Sequence, residues 1–148
     1  MMNFTLTVLA FFVGVLLPVQ VGVNAELARH IHSPVLAALI SFLIGSICLL
    51  FSAVVLKTPF PNLVNVISLP SWLWTGGLIG ALVVLGSILA GPKIGALTLV
   101  GLLLAGQLIG SIIIDHYGWL GFEFHKMNFQ RLLGVFLLVG GFLLIHKS

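Results

Sequence analysis

Charged residues are scarce in this sequence, at 6% of its 148 residues, whereas a soluble domain carries about a quarter. Nine charges cannot cover a globular surface, so lipid is the expected solvent. The six Lys and Arg residues are scattered singly between apolar runs, which excludes the clustered basic patch of a nucleic-acid-binding protein. The single cysteine, Cys48, lies in an apolar run, so one chain cannot build a disulfide framework or a cysteine metal cluster.

Long uncharged runs take the place of the missing charges. A spanning helix needs about 20 predominantly apolar residues, and such runs occur at 4–25, 34–56, 71–91, 94–114 and 128–146. Arg131 interrupts only the start of the last run, where a long side chain can reach the headgroups. The runs are too long and too uniformly apolar for the alternating strands of a membrane barrel. The sequence therefore predicts an all-α membrane protein, a single integral domain of residues 1–148 with five transmembrane helices.

The segments between these runs predict the links. Polar residues collect at 26–34, and three prolines and two asparagines mark 58–72. The segment "AGPKIG" at 90–95 predicts a tight turn, so the third and fourth spans are expected to form an antiparallel hairpin. A signal peptide at 1–25 is disfavoured, because its first residues carry no Lys or Arg and its apolar run exceeds a typical signal core.

The basic residues divide evenly between the two sides of the membrane. With five spans, the N-terminal side holds Lys57, Lys126 and Arg131, and the other side holds Arg29, Lys93 and Lys147. The positive-inside rule orients a chain by an excess of Lys and Arg, and here there is none. The balance predicts insertion in both orientations, and two inverted copies can form a closed antiparallel homodimer. The alternative is that the N-terminal amine, histidines or an insertion factor fixes one orientation.

The first span ends in residues that the hydrocarbon core disfavours. Pro18 has no N–H, so the carbonyl of Gly14 loses its helical partner, and a bend is expected there. Gln20 and Asn24 follow four residues apart and share a face.

A matching set of polar residues lies in the fourth span, where Gln107, Ser111 and Asp115 repeat at intervals of four. Polar groups within spans usually face a cavity or the bundle interior, so these residues, with Gln20 and Asn24, are candidates for a solute path. Two alternatives stay open. The glutamines can join helices by hydrogen bonds. For Asn24 and Asp115 a solvated helix end at the interface is the favoured interpretation.

Small residues recur at helical spacing and predict packing faces. Gly76 and Gly80 form one GxxxG pair and Gly106 and Gly110 another. A third stripe holds Ala37, Ser41 and Gly45. Small side chains let helix backbones approach closely in lipid, so all three stripes are expected to pack against other helices.

The motifs of intramembrane enzymes are missing. The sequence has neither GxSxG nor HExxH, and all five histidines lie at span ends. No catalysis, metal or cofactor is therefore expected. No acidic residue lies deep in a span, which argues against proton-coupled export of hydrophobic cations. The favoured hypothesis is a transporter of a small polar solute by alternating access. The alternatives are a structural or regulatory subunit and, less favoured, an intramembrane enzyme.

Five segments together resemble the YdcZ-like family, five-span members of the drug/metabolite transporter superfamily. They are "PVQVGVNAELARHIHSPVLAALISFLIGS" (18–46), "WLWTGGLIGA" (72–81), "PKIGA" (92–96), "GQLIGSIIIDHYGWLG" (106–121) and "RLLGVFLLVGG" (131–141). The resemblance covers nearly the whole chain. It implies a multi-pass protein of the bacterial inner membrane that forms half of a ten-span transporter fold. A second inverted copy, or an inverted paralogous subunit, would complete it.

In that superfamily the first four helices of each half line the central path. By resemblance the matching residues here are Gln20, Asn24, Gln107, Ser111 and Asp115. The resemblance supplies no substrate.

Overall fold

The computed structural model describes residues 3–147, with side chains through residue 144, and this range contains helices and no strand. The α-helices are α1 (Phe4–His30), α2 (Pro34–Val55), α3 (Leu63–Ile67), α4 (Thr75–Ile94), α5 (Ala96–Tyr117) and α6 (Phe129–Lys147). Their contacts group into two compact units, an N-terminal unit that ends at Lys93 and a C-terminal unit that begins at Ile94.

Four segments of the described range are long and apolar enough to cross a membrane: α1, α2, Ser71–Ile94 and α5. They confirm the all-helical class and the first four predicted spans. The apolar part of α6, Phe129–Leu144, is shorter. At about 1.5 Å per residue it reaches about 24 Å, against about 30 Å of hydrocarbon. The fifth span and the single domain stay predictions. The side chain of Lys147, counted in the charge balance, lies outside the described side chains.

The first helix continues past its predicted end, and the expectation of a non-helical link at 26–34 is wrong for its first five residues. α1 runs to His30 because Ala25 and Ala28 near its end are buried. Ala28 packs in a cluster with Ala37, Ala38 and Ile88. Alanine side chains allow the backbones of α1 and α2 to approach closely, and this contact favours extra helical turns.

The turn from α1 to α2 is short and well hydrogen-bonded. The N–H of Ser33 donates to the carbonyl of Ala28 at 3.1 Å across His32, whose φ is +54°. Ser33 then caps α2 by accepting the N–H of Leu36 at 3.2 Å, and Pro34 occupies the first turn. The turn brings the end of α1 beside the start of α2.

Prolines lie inside two helices. α1 is continuous across Pro18, so the predicted bend stays a prediction. α4 also continues through Pro92, and the predicted turn at 90–95 is wrong: only Gly95, with φ +85°, separates α4 from α5. The reason is local, because Gly91 has no Cβ to clash with the proline ring. The antiparallel hairpin stays a prediction.

The predicted link at 58–72 is partly helical. It contains α3 and the start of a 3₁₀ turn at Ser71–Trp74. Asn62 starts α3, because its side-chain oxygen accepts the N–H of Val64 at 3.0 Å. A side-chain cap thus gives this short segment one helical turn that its prolines did not suggest.

In the C-terminal unit, the closest approach of α6 to the α5 backbone described here is at a glycine. Gly101 is buried, and a Cβ built on it would overlap the ring of Phe142. Only glycine lets the ring lie this close to the α5 backbone. The spacing rule did not single out Gly101, because its partner is an aromatic ring rather than a second small residue.

The predicted packing glycines divide into two groups. In the N-terminal unit, a Cβ on Gly80 would lie 3.6 Å from the ring of Phe42, so this glycine faces a neighbouring helix. No described atom lies within 4 Å of the corresponding positions at Gly76, Gly106 and Gly110. Their packing roles stay predictions.

Candidate solute groove

The small-residue stripe of α2 becomes more exposed along its length. Ala37 is fully buried, Ser41 is half-buried and Gly45 is exposed. The stripe is therefore packed at its first residue, in the cluster with Ala28 of α1, and open toward its last. The open part is a groove of about 240 Å³. Its lining residues are Gln20 of α1 and Ser41, Phe42, Gly45, Ser46 and Leu49 of α2.

The groove combines an amide, two hydroxyls and two apolar side chains. The hydroxyl of Ser46 donates to the carbonyl of Phe42 at 2.8 Å, so its hydrogen is engaged and its lone pairs remain. The ring of Phe42 also lies beside Gly80 of α4. Gln20 is exposed at the groove and offers both amide donors and an amide acceptor. The arrangement can hydrogen-bond a solute and contact an apolar part of it.

The two polar residues predicted on α1 have different surroundings. Gln20 lines the groove, whereas Asn24, one turn later, is only 5% exposed. The alternative that Asn24 is a solvated helix end is therefore wrong, because it lies in the packed part of the N-terminal unit beside the buried Ala25. Asn24 is a polar group held just beyond the groove.

The solvated end of α1 begins after Asn24. Glu26 pairs with Arg29 one turn later, and the Nδ1 atom of His30 lies 3.4 Å from the Glu26 carboxylate. These side chains and His32 line an open cavity of about 350 Å³. All four are exposed, as expected for a helix end in water.

The second predicted set lies on α5 in the C-terminal unit. Gln107 and Ser111 are exposed, four residues apart on one face, and Asp115 is half-buried. The structure therefore gives Gln107 and Ser111 free surface, whereas Asp115 has partners.

Asp115 belongs to a set of contacts between the end of α5 and the start of α6, here called the α5–α6 clasp. The Asp115 carboxylate accepts from the guanidinium of Arg131 at 3.3 Å, and its backbone carbonyl accepts from the N–H of His125 at 2.8 Å. Nδ1 of His116 accepts from the N–H of Met127 at 3.2 Å. These contacts support the interfacial interpretation of Asp115 over a role in the path.

The clasp depends on a sharp reversal after α5. Gly118 ends the helix with φ +61°, and its N–H bonds back to the carbonyls of the last turn. Asn128 then accepts the backbone N–H of Arg131 at 2.9 Å at the start of α6. Sequence reasoning assigned Arg131 to the headgroups and did not pair it with Asp115, since the two lie 16 residues apart.

Three groove residues were also missed, namely Phe42, Ser46 and Leu49. The signal was present, because the groove positions of α2 recur at intervals that place them on one helical face. Serine and glycine on an apolar helix were interpreted as packing residues, and only part of that face packs.

No three His, Cys, Asp or Glu side chains converge as a metal site among the side chains described. The expected lack of a cofactor stays a prediction.

Comparison with known protein families gives one match. Residues 5–144 match the family described as "Putative inner membrane exporter, YdcZ". No curated protein and no solved structure shows a significant match to the chain.

Proposed function

We propose that this chain, which belongs to the YdcZ family of inner membrane exporters, moves a small polar solute by alternating access through a path that includes the α1–α2 groove. The family match and the four apolar spans make the chain a multi-pass inner membrane protein and a transporter. The family is a transporter family rather than an enzyme family. A bacterial inner membrane is the proposed location.

The groove is the observation that carries this proposal. Gln20 sits in the first apolar span, more than one helical turn before the charged residues at the end of α1. A polar side chain at such a depth usually faces a cavity or a bundle interior, and here it faces a cavity of about 240 Å³ beside two serines. A mostly apolar cavity that also holds an amide and two hydroxyls can hydrogen-bond the polar part of a small solute, which a lipid tail lacks.

The proposed working unit is an antiparallel homodimer, which completes a ten-span fold from two five-span chains. The even split of Lys and Arg supports it, because no excess favours one orientation. Gln107 and Ser111 are exposed on α5 and so are available to line the same path from the second protomer. An inverted paralogous subunit is the other partner that would give this arrangement.

Flux through liposomes that contain only this chain tests the transport proposal. A chemically broad panel of small polar solutes identifies a transported compound, and Gln20→Leu should then slow its flux about tenfold, the equivalent of one lost hydrogen bond. Gln130→Leu is the matched control, since it removes an exposed amide from α6 outside the groove and should leave flux unchanged. A chain that carries none of the panel, alone or with an inverted paralogue, is a structural or regulatory subunit instead.

Topology and crosslinking test the dimer. C-terminal reporter fusions should report both sides of the membrane, and two or three lysines added at one terminus should make the population uniform. In a Cys48→Ser background, cysteines at 20 and 107 should crosslink between chains. A single orientation, with no inverted partner protein, would exclude the antiparallel homodimer.

A further inference from the structure

We infer that the α1–α2 groove selects an uncharged solute that carries an amide or hydroxyl group on a small apolar body. This inference rests on the proposed transport function and adds to it the chemical class of the solute. It follows from which hydrogen-bonding groups the groove offers, which charges it lacks and how large it is.

The hydrogen-bonding groups of the groove are neutral and balanced. Gln20 supplies two N–H donors and one carbonyl acceptor, and the hydroxyl of Ser41 can donate or accept. Ser46 can only accept, because its hydrogen is donated to the carbonyl of Phe42. A solute amide or hydroxyl, which also donates and accepts, can satisfy this set.

Charge is absent from the groove walls. α2 carries no charged residue between Pro34 and Val55. On α1 the nearest charge, Glu26, lies six residues beyond Gln20, about 9 Å along the helix, and is already paired with Arg29. A cation or an anion in the groove would be removed from water without a counter-charge, which strongly disfavours binding.

The volume of the groove and its apolar side chains narrow the class of solute further. A cavity of about 240 Å³ is below the range of about 300–1,000 Å³ that holds drug-sized ligands. Phe42 and Leu49 present a ring and an aliphatic side chain to the same space, and the ring also lies beside Gly80. The part of the solute that this groove holds is therefore small and partly apolar.

Three matched probes test this inference by equilibrium dialysis against the full chain in lipid nanodiscs. 2-Phenylacetamide, phenylacetate and 2-phenylethylammonium share a ring and a short chain, and differ in the charge of the head group. Retention by empty nanodiscs is subtracted. We expect the amide to bind about tenfold more tightly than either ion, a difference equivalent to at least one hydrogen bond. Equal or tighter binding of an ion would overturn the inference.

Two substitutions at Gln20 test whether this residue causes the preference for the amide over the two ions. Gln20→Leu should weaken binding of the amide about tenfold, whereas Val23→Leu, an exposed position on the same helix outside the groove, should leave it unchanged. Gln20→Glu should reverse the preference in favour of 2-phenylethylammonium, because it adds a counter-charge. An unchanged preference in Gln20→Glu would show that the amide binds elsewhere.

The outcome is separable from that of the transport proposal. Amide-selective binding without flux in liposomes would retain this inference and reject transport by the chain alone. Flux of a charged solute that depends on Gln20 would retain transport and reject this inference.

Discussion

The C-terminal ends of α1 and α5 have similar residues and different structures. Each has an acidic residue and a histidine, and each acidic residue pairs with an arginine. At α1 the ion pair joins Glu26 to Arg29 within one turn, and the side chains are 48% and 73% exposed. At α5 the pair joins Asp115 to Arg131 on the next helix, and the side chains are 32% and 38% exposed. The first pair lies on the surface of a single helix, and the second connects two helices.

The difference arises from the turn that follows each helix. After α1, the turn at His32 leads directly into α2, so the charged residues of α1 find partners only on their own helix. After α5, Gly118 reverses the chain and returns His125 and Arg131 to Asp115. Composition alone therefore does not tell a solvated helix end from a clasp. The backbone geometry just beyond the helix decides which one forms.

The largest expected effect separates the two ion pairs. Arg131→Ala removes the partner of a half-buried carboxylate and should lower the free energy of unfolding in detergent by about 1–2 kcal/mol. Arg29→Ala is the matched control, because an exposed pair within one helix contributes at most about 0.5 kcal/mol. A double-mutant cycle with Asp115→Ala and Glu26→Ala isolates each coupling. Equal coupling energies at the two ends would contradict the distinction drawn here.

Sequence reasoning predicted the part of the fold that lipid dictates. A run of about 20 uncharged apolar residues has one stable form in a bilayer, so α1, α2, α4 and α5 could be located in advance. Their ends could not. α1 continues because Ala28 finds Ala37 and Ala38, a contact between residues on two helices. α4 continues through Pro92 because Gly91 precedes it.

The candidate site was predicted in part for a similar reason. Gln20 was identified because an amide in an apolar run is conspicuous. Ser41 and Gly45 were noticed but interpreted as packing residues, since small side chains serve both packed faces and open grooves. Which of the two they form depends on how closely neighbouring helices approach α2, and that is a tertiary property. The Asp115–Arg131 pair depends on the reversal at Gly118, which residue spacing does not reveal.

The second expected effect concerns the turns that follow the two helices. Each turn has one residue with left-handed backbone angles, which is His32 after α1 and Gly118 after α5. Gly118→Ala, at φ +61°, should cost about 1 kcal/mol, because a side chain with a Cβ is strained there. His32→Gly, at φ +54°, should relieve the same strain and have a smaller effect of opposite sign, since glycine also adds entropy to the unfolded chain. Thermal unfolding in detergent measures both. A stabilising Gly118→Ala would show that the turn after α5 is not what holds the clasp.

The smallest expected effect distinguishes the two ends by the hydrogen bond that each histidine makes. At α1, Nδ1 of His30 lies 3.0 Å from the carbonyl of Glu26. A carbonyl only accepts, so Nδ1 donates in this bond, which lies within one helix. At α5, Nδ1 of His116 accepts the N–H of Met127. This bond joins the end of α5 to the segment before α6, so it is part of the clasp.

Removing each imidazole should therefore have different effects at the two ends. His116→Ala deletes the acceptor of the Met127 N–H. One neutral hydrogen bond is worth about 0.5–1 kcal/mol, so hydrogen-exchange protection of the Met127 amide should fall about two- to fivefold. His116→Asn places an amide oxygen near the Nδ1 position and should keep most of the protection. His30→Ala is the matched control, because it removes a bond within α1 and should leave the Met127 amide unchanged. Unchanged protection in His116→Ala would show that the Met127–His116 bond does not hold the clasp.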